Sequence, residues 1–388
     1  MSERTLMQTK GSRLGAAFRI LIEQFRCSRY NVDMPQQGSN KGGLPNQPIS
    51  LKVLGAYLDL SPATISLVLN NAPGVRSIPQ ETRDRVIAAA KKFDYRPSFY
   101  ARSLRKRQSF SIGVLVPELS DGYSVLILDG IEEVLLEEGY FYLTASHRRK
   151  ADLIQEYPGL LMERSVEGFI AIDTALQHPL SLPVVAIANH RIIEGVTNIV
   201  IDHRRAAELA LRHLYDLGHR QIAFMRGQTF SSDSDDRWKY LMAVAKELGL
   251  EVRPELVVQL EVNISSPELG YPVVERMLAA KVPFTALISY NDIAAIGAVR
   301  AFRDRGIRVP EDVSIIGFDD IQSAAYQNPS LTTIRQPLRQ MGTTAARILL
   351  KRLQGAKDIP DELKIIPELI IRESTRPPQK TKPRARKK

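Results

Sequence analysis

Residues 61–70 read SPATISLVLN, Ser61 through Asn70, and they describe a short helix with two unlike faces. Ser61 offers an oxygen to cap the first free N–H groups, and Pro62 suits the first turn, where no N–H is needed. Ile65, Val68 and Leu69 fall on one stripe and point inward by period. The outward face carries Ala63, Thr64, Ser66, Leu67 and Asn70, short and uncharged, where an ordinary surface helix shows Lys and Glu. Such a face lets another surface come close. Upstream, Ser50 caps a helix with Leu51, Leu54 and Leu58 inward. Only Asp59 and Leu60 separate it from the second helix, which forces a sharp crossing of helix-turn-helix type. Downstream, a third helix starts near Pro79 with Val86, Ala89, Ala90 and Phe93 at i, i+3, i+4 and i+7.

The 388-residue chain is 44% hydrophobic and 25% charged, the balance of two or three packed units and not of a disordered chain. It holds no run of eighteen apolar residues and no secretory progression at its N-terminus, so no membrane partner is expected and the cytoplasm is the expected location. Cys27 is the single cysteine, and the six histidines show neither HxxxH nor HExxH spacing. Neither an internal disulfide, a metal site nor a cofactor is therefore expected. The net charge of +10 divides into +11 over residues 1–110, −8 over 111–371 and +7 over 372–388. A basic head on an acidic body suggests that the head meets a polyanion.

Residues 1–48 combine an apolar patch at 14–25 with a Gly-, Pro- and Asn-rich run, and read as an extension or linker without a defined function. SFYARSLRKRQS, residues 98–109, is too short to hold a helix by itself. Beyond it, strand-like runs at 111–119, 140–146, 166–173, 183–189, 198–202, 221–227, 286–292 and 313–320 alternate with amphipathic stretches at 203–217, 235–249, 293–305 and 338–353. This is the pattern of parallel sheets covered on both faces. About 260 residues of it exceed one comfortable sheet, so two lobes are expected.

Seven stretches in order, SPATISLVLN, ETRDRVIAAAKKFDYRP, ARSLR, SIGVLVPELS, LYDLGHRQIAF, SYNDIAAIGAVRAFRDRGIRVPEDVSIIGFDDI and PSLTTIRQP, resemble the LacI/GalR family of bacterial transcription regulators. The resemblance runs from Ile49 to about Pro377. It implies an all-α helix-turn-helix DNA-binding head at 49–96, a hinge helix at 97–109, an α/β core of two periplasmic-binding-protein-like lobes with parallel sheets at 110–376, and a basic tail at 377–388. The implied function is sequence-specific transcriptional regulation, more often repression, with operator affinity controlled by a small molecule such as a sugar or related metabolite. The implied partners are a near-palindromic double-stranded DNA operator, that effector, and a second copy of the chain forming a homodimer.

Carried over by motif position, Pro62, Ala63 and Leu67 face base edges with help from Leu51, behind the Ser61 cap, while Ser50, Thr64, Ser66 and Asn70 reach phosphates. In the hinge, Leu104 is the minor-groove wedge, Ala101 permits close approach, and Arg105, with Arg102, Lys106 and Arg107, contacts phosphates. The cleft between lobes receives Arg237, Asn291 and Asp319 from the C-terminal lobe, and Tyr123 and Asp173 from the N-terminal one. This set suits sugar hydroxyls or a small anionic metabolite. Structural alternatives are an Arg237 pair with Asp235 or Asp236, and Asp319 with Asp320 capping the turn that follows. Three departures stand out: Leu67 where relatives often carry Arg, Asp59 in place of a turn glycine, and PELSDGYS at 117–124 where many have an Asn-Pro-Phe-Phe type of segment. The loop NAPGVRSIP, 71–79, is also long, with Arg76 available for a phosphate.

Two other classes compete. An α/β enzyme would need a motif such as GxSxG, a Walker loop or GxGxxG entering a helix, and none occurs, so no catalytic residue is named. A solute-binding protein with a non-functional DNA head would share the lobes and make no use of the basic 49–107 segment.

Overall fold

Ser50 and Ser61 act at the backbone as the sequence asks. Ser50 Oγ accepts from the Val53 N–H at 3.3 Å and opens α1 (Leu51–Leu58), and Ser61 Oγ accepts from the Thr64 N–H at 3.0 Å and opens α2 (Pro62–Leu69). Each cap contributes about 1 kcal/mol. In the computed structural model the described residues are 49–95, 108–119, 122–188, 193–229, 231–261, 266–356 and 358–379. The extension at 1–48, the hinge up to residue 107 with Ala101, Leu104 and Arg105, and the tail beyond residue 379 lie outside them. The chain divides into two compact units, residues 1–97 and 98–388.

In the first unit α1 and α2 meet at a bend of 104°. Asp59 ends α1 in the left-handed conformation (φ 55°, ψ 45°), which Asp tolerates better than most residues. Smallness is needed one turn earlier, at Gly55, where a Cβ would lie 2.8 Å from the Leu60 carbonyl oxygen. Val86, Ala89 and Ala90 of α3 (Gln80–Lys92) close over Leu54, Leu58, Ile65 and Val68, with Val75 from a single 3₁₀ turn. Burying each large aliphatic side chain contributes roughly 1.5–3 kcal/mol. Leu51, Leu69 and Phe93, expected inward, are half-buried at the margin of this cluster. Arg85 donates to the Leu58 carbonyl at 3.2 Å, placing a cation at the C-terminus of α1.

The second unit builds two lobes, each on a six-stranded sheet of described residues. The first lobe contains β1 (Ser111–Val116), α4 (Tyr123–Glu137), β2 (Phe141–Ser146), α5 (Ala151–Glu163), β3 (Gly168–Ile172), β4 (Val184–Ile187) and β5 (Val196–Ile201). The second contains α6 (His203–Asp216), β6 (Ile222–Arg226), α7 (Ser232–Glu247), β7 (Val257–Gln259), α8 (Tyr271–Ala279), β8 (Ala286–Ile288), α9 (Asp292–Asp304), β9 (Ser314–Asp319), α10 (Gln322–Tyr326) and β10 (Thr332–Arg335). Then α11 (Leu338–Leu353) and β11 (Glu362–Ile365) return to the first lobe, and β12 (Glu368–Ile370) ends on the second. Strand orders are β11-β5-β4-β3-β1-β2 and β12-β10-β9-β8-β6-β7.

β1, β3, β4 and β5 are buried at every position, which explains their continuous apolar runs. The sequence pattern anticipates β1–β6, β8 and β9 and does not flag β7, β10, β11 or β12. Pairing is parallel except between β10 and β12, which run antiparallel with Ile334 opposite Leu369. The return of α11 is tight. It crosses α4 at paired glycines, where a Cβ on Gly130 would overlap the Arg339 carbonyl and one on Gly342 would overlap the Ile127 carbonyl.

Alanine substitutions separate this contact from generic glycine effects. Gly130→Ala or Gly342→Ala is expected to destabilise the core by about 3 kcal/mol or more through overpacking. Gly159→Ala, in α5 with open space around the added methyl, is expected to be neutral or to stabilise by up to about 1 kcal/mol through helix propensity. Urea unfolding of the three variants measures both signs.

Candidate nucleic-acid interface and ligand cleft

From Ser61 to Val75 the first unit presents no charged side chain. Ser61, Pro62 and Ala63 are exposed, and Thr64, Ser66, Leu67 and Asn70 half-buried. Leu67 lies outside the cluster that takes Ile65 and Val68, so its side chain belongs to the outward face and not to the core. The polar groups on this face are held in place locally. Ser61 Oγ sits 2.9 Å from Thr64 Oγ1, and the Asn70 amide donates to the Ser66 carbonyl at 2.7 Å and to Ser66 Oγ at 3.2 Å. Ser50 is exposed beside half-buried Leu51, and exposed Lys52 and Arg76 flank the face in sequence. The arrangement is a low, neutral ridge with positive charge beside it, a shape that admits bases to the ridge and phosphates to its edges.

In the second unit a cleft opens between the lobes. Its walls come from the C-terminal ends of strands. Pro117 and Glu118 follow β1, Arg149 follows β2, Asp173 follows β3, Gln228 and Ser231 follow β6, Tyr290 and Asn291 follow β8, Asp319 closes β9, and Gln336 follows β10. Ligands of open α/β sheets bind at this end. Tyr123, Asp173, Arg237, Asn291 and Asp319, expected here from the sequence, all line the cleft.

Their local roles differ from the alternatives the sequence left open. Arg237 pairs with Asp233 at 3.3 Å, not with Asp235 or Asp236, and Asp235 takes Arg226 at 2.9 Å. One Arg237 amine donates to the Tyr290 carbonyl, and its guanidinium carbon lies 3.5 Å from the Phe318 ring centre and 4.6 Å from that of Tyr290. Asp233 also stands 3.4 Å from His203 Nε2. Asp319 does not cap the next turn. It sits at φ 115° and accepts from the Gln336 amide at 2.6 Å, while Asp320 binds Arg335 at 2.7 Å and Arg372 at 2.6 Å. Asn291 caps α9, its Oδ1 accepting from the Ala294 N–H at 2.9 Å. Burial pushes the Asp319 carboxyl up to about 7; Arg237 and Gln336 pull against this, and Asp233 and Asp173 add to it.

The N-terminal wall adds residues the sequence did not flag. Arg148 and Arg149 are both left-handed (φ 48° and 56°), and this kink brings Arg149 to Asp173 at 2.5 Å. His147 fixes the kink: its Nδ1 accepts from the Arg149 N–H at 3.0 Å, so Nε2 carries the proton toward Thr174 Oγ1, also at 3.0 Å. Burial, with Arg149 beside it, lowers the His147 ring to about 4, which keeps it neutral in this role. The Tyr123 hydroxyl is buried with no hydrogen-bond partner among the described residues, and burial, then Asp233, Asp173 and Asp319, holds its ionisation well above the usual phenol range. Arg149, Asp233 and Gln336 carry no local sequence signal; a left-handed loop, an i,i+4 helix pair and an unanticipated strand deliver them. Among the described residues no group of three or more His, Cys, Asp or Glu side chains is arranged to hold a metal ion.

Comparison with known proteins gives both units the same ancestry. Residues 59–98 match the family described as bacterial regulatory proteins, lacI family, and residues 211–375 match a periplasmic binding protein-like domain. The HTH-type transcriptional repressor PurR of Yersinia pestis bv. Antiqua is 30% identical over 334 residues, covering 84% of this chain and 96% of that repressor. The PurR of Erwinia tasmaniensis is equally similar, 30% identical over 334 residues and the same shares of the two chains. Among solved structures, a lac repressor dimer bound to operator and the anti-inducer ONPF aligns with a TM-score of 0.74 at 25% identity, over 85% of this chain and all of that one. A LacI family transcriptional regulator from Enterococcus faecium with bound ribose aligns at 0.62 and 26%, over 69% and 100%. With both units matched and nearly the full length of the repressors covered, this chain belongs to the LacI/GalR family of bacterial transcriptional regulators.

Proposed function

We propose that the protein is a sequence-specific DNA-binding repressor whose operator affinity is set by a small molecule held between the lobes of its core, and that it acts in the cytoplasm as a homodimer on a near-palindromic operator. The carrying observation is the uncharged outward face of α2, in a chain that spans 96% of a repressor of the same family. In this reading 49–96 is the DNA-binding head, 97–109 the hinge, 110–376 the sensing and dimerising core, and 377–388 a basic tail.

Pro62, Ala63 and Leu67 meet base edges with Leu51 beside them, and Ser50, Thr64, Ser66 and Asn70 meet phosphates once Ser61 has set the helix. Ala101, Leu104 and Arg105 extend the contact into the minor groove. Tyr123, Asp173, Arg237, Asn291 and Asp319 hold the effector. The cleft performs no chemistry on its ligand: binding is the signal, and DNA affinity changes by the coupling between the two sites. A dimer follows from half-site geometry, since two heads at fixed spacing read an inverted repeat. The operator-bound dimer and the ribose-bound regulator among its structural relatives support both partners.

Selection of duplexes from a randomised pool by full-length protein, with a Leu67→Arg variant alongside, tests the reading. The parent is expected to recover an inverted repeat with an apolar-tolerant position, such as thymine, opposite Leu67. The variant is expected to shift that position toward guanine by roughly 5- to 150-fold, the 1–3 kcal/mol of a bidentate contact. Sequence-blind, salt-sensitive recovery by both proteins would contradict it.

A further inference from the structure

Among the described residues, the cleft is lined by four carboxyls, Glu118, Asp173, Asp233 and Asp319, and two guanidiniums, Arg149 and Arg237. Both guanidiniums are engaged, Arg149 by Asp173 at 2.5 Å, and Arg237 by Asp233 at 3.3 Å and by the Tyr290 carbonyl. Among the described residues, three buried polar atoms on the same walls have no hydrogen-bond partner: Oε1 of Gln336, a residue only 3% exposed whose amide nitrogen is bound to Asp319, the Tyr123 hydroxyl, and Nε of Arg237. An amide oxygen only accepts. The site therefore asks for a donor at Gln336 and an acceptor at Arg237 Nε, and beside an excess of carboxylates the favoured donor is positively charged and the favoured acceptor a neutral hydroxyl.

On the effector reading above, we propose that the cleft takes a small hydroxylated molecule bearing a protonated nitrogen, seated among Asp173, Asp233, Asp319 and the Gln336 oxygen, and that it rejects phosphorylated and carboxylated compounds. Phosphate would add two charges to a site already negative; an ammonium supplies three donors and the missing charge.

Asp319 reports the difference. The groups facing it are Arg237 and Gln336, which favour its charged form, and Asp233, Asp173 and the neighbouring Asp292, which oppose it; burial raises it to about 7. A bound cation favours the ionised carboxylate, so binding expels a proton and tightens as pH rises through 7. Between pH 6 and pH 8 the gain is about tenfold for one group titrating at the midpoint. A neutral polyol gives no such gain, and an anion loses affinity over the same range.

Thermal-shift and calorimetric titrations of the full-length protein decide this, using four- to six-carbon polyols in matched neutral, amino and phosphorylated forms, with sorbitol, glucamine and sorbitol 6-phosphate among them. The expected result is binding confined to amino members, about tenfold tighter at pH 8 than at pH 6, with about half a proton released at pH 7 when two buffers are compared. A neutral or phosphorylated member that binds as tightly as its amine overturns the inference and leaves the effector reading standing. If no member binds, the inference is overturned as well; the effector reading falls with it only if metabolite extracts also leave operator affinity unchanged.

Discussion

The contact on which the core depends is the crossing of α4 and α11, where Gly130 and Gly342 let two helix backbones touch. Through it the chain completes its first lobe only after building most of the second. Leu338, Met341, Ala345, Ala346 and Leu349 of α11 fill the same cluster as Ile112, Ile127 and Ile170, and β11 adds the last strand beside β5. The lobes are consequently not two beads on a string. They are bodies joined by the short segments after β5, β10 and β11, the kind of connection about which two-lobed proteins close on ligands.

The cleft has its own keystone in Asp292. One oxygen of this fully buried carboxyl accepts from the Ile321 N–H at 3.0 Å and the other from the Thr333 hydroxyl at 2.6 Å, while Gly317 must lack a side chain to leave it room. Asp292 thus ties the starts of α9 and α10 to β9 and β10, which sets Asn291, Asp319 and Gln336 on a common wall. Burial first, then the nearby Asp319, pushes its carboxyl well above the usual range. This wall of the cleft is therefore built around two carboxyls, Asp292 and Asp319, that resist ionisation.

Sequence carries this architecture unevenly, for physical reasons. The helices of the head are legible because caps and apolar period coincide at Ser50, Ser61, Val86 and Ala89. The central strands are legible because burial on both faces demands uninterrupted apolar residues, as in Ser111–Val116. β7, β11 and β12 are short edge strands, β11 and β12 with polar and exposed positions, as in Glu362–Ile365, and β10 reads as Thr-Thr-Ile-Arg next to such an edge. Family motifs point to Arg237, Asn291 and Asp319, whereas Arg149 arrives through a left-handed kink and Gln336 through β10. Neither device leaves a local pattern. For Arg237 the sequence offers Asp235 or Asp236 as partner and passes over Asp233, which, four residues earlier, shares its face once α7 forms.

The claim that unites head and cleft is thermodynamic linkage, and the direct measurement is affinity for the selected operator duplex with and without a compound that raises the melting temperature of the core. The account predicts a change of roughly 5- to 150-fold in operator affinity, mirrored by the same factor in the compound's affinity when DNA is present. Equal operator affinity with the cleft empty and saturated would contradict it.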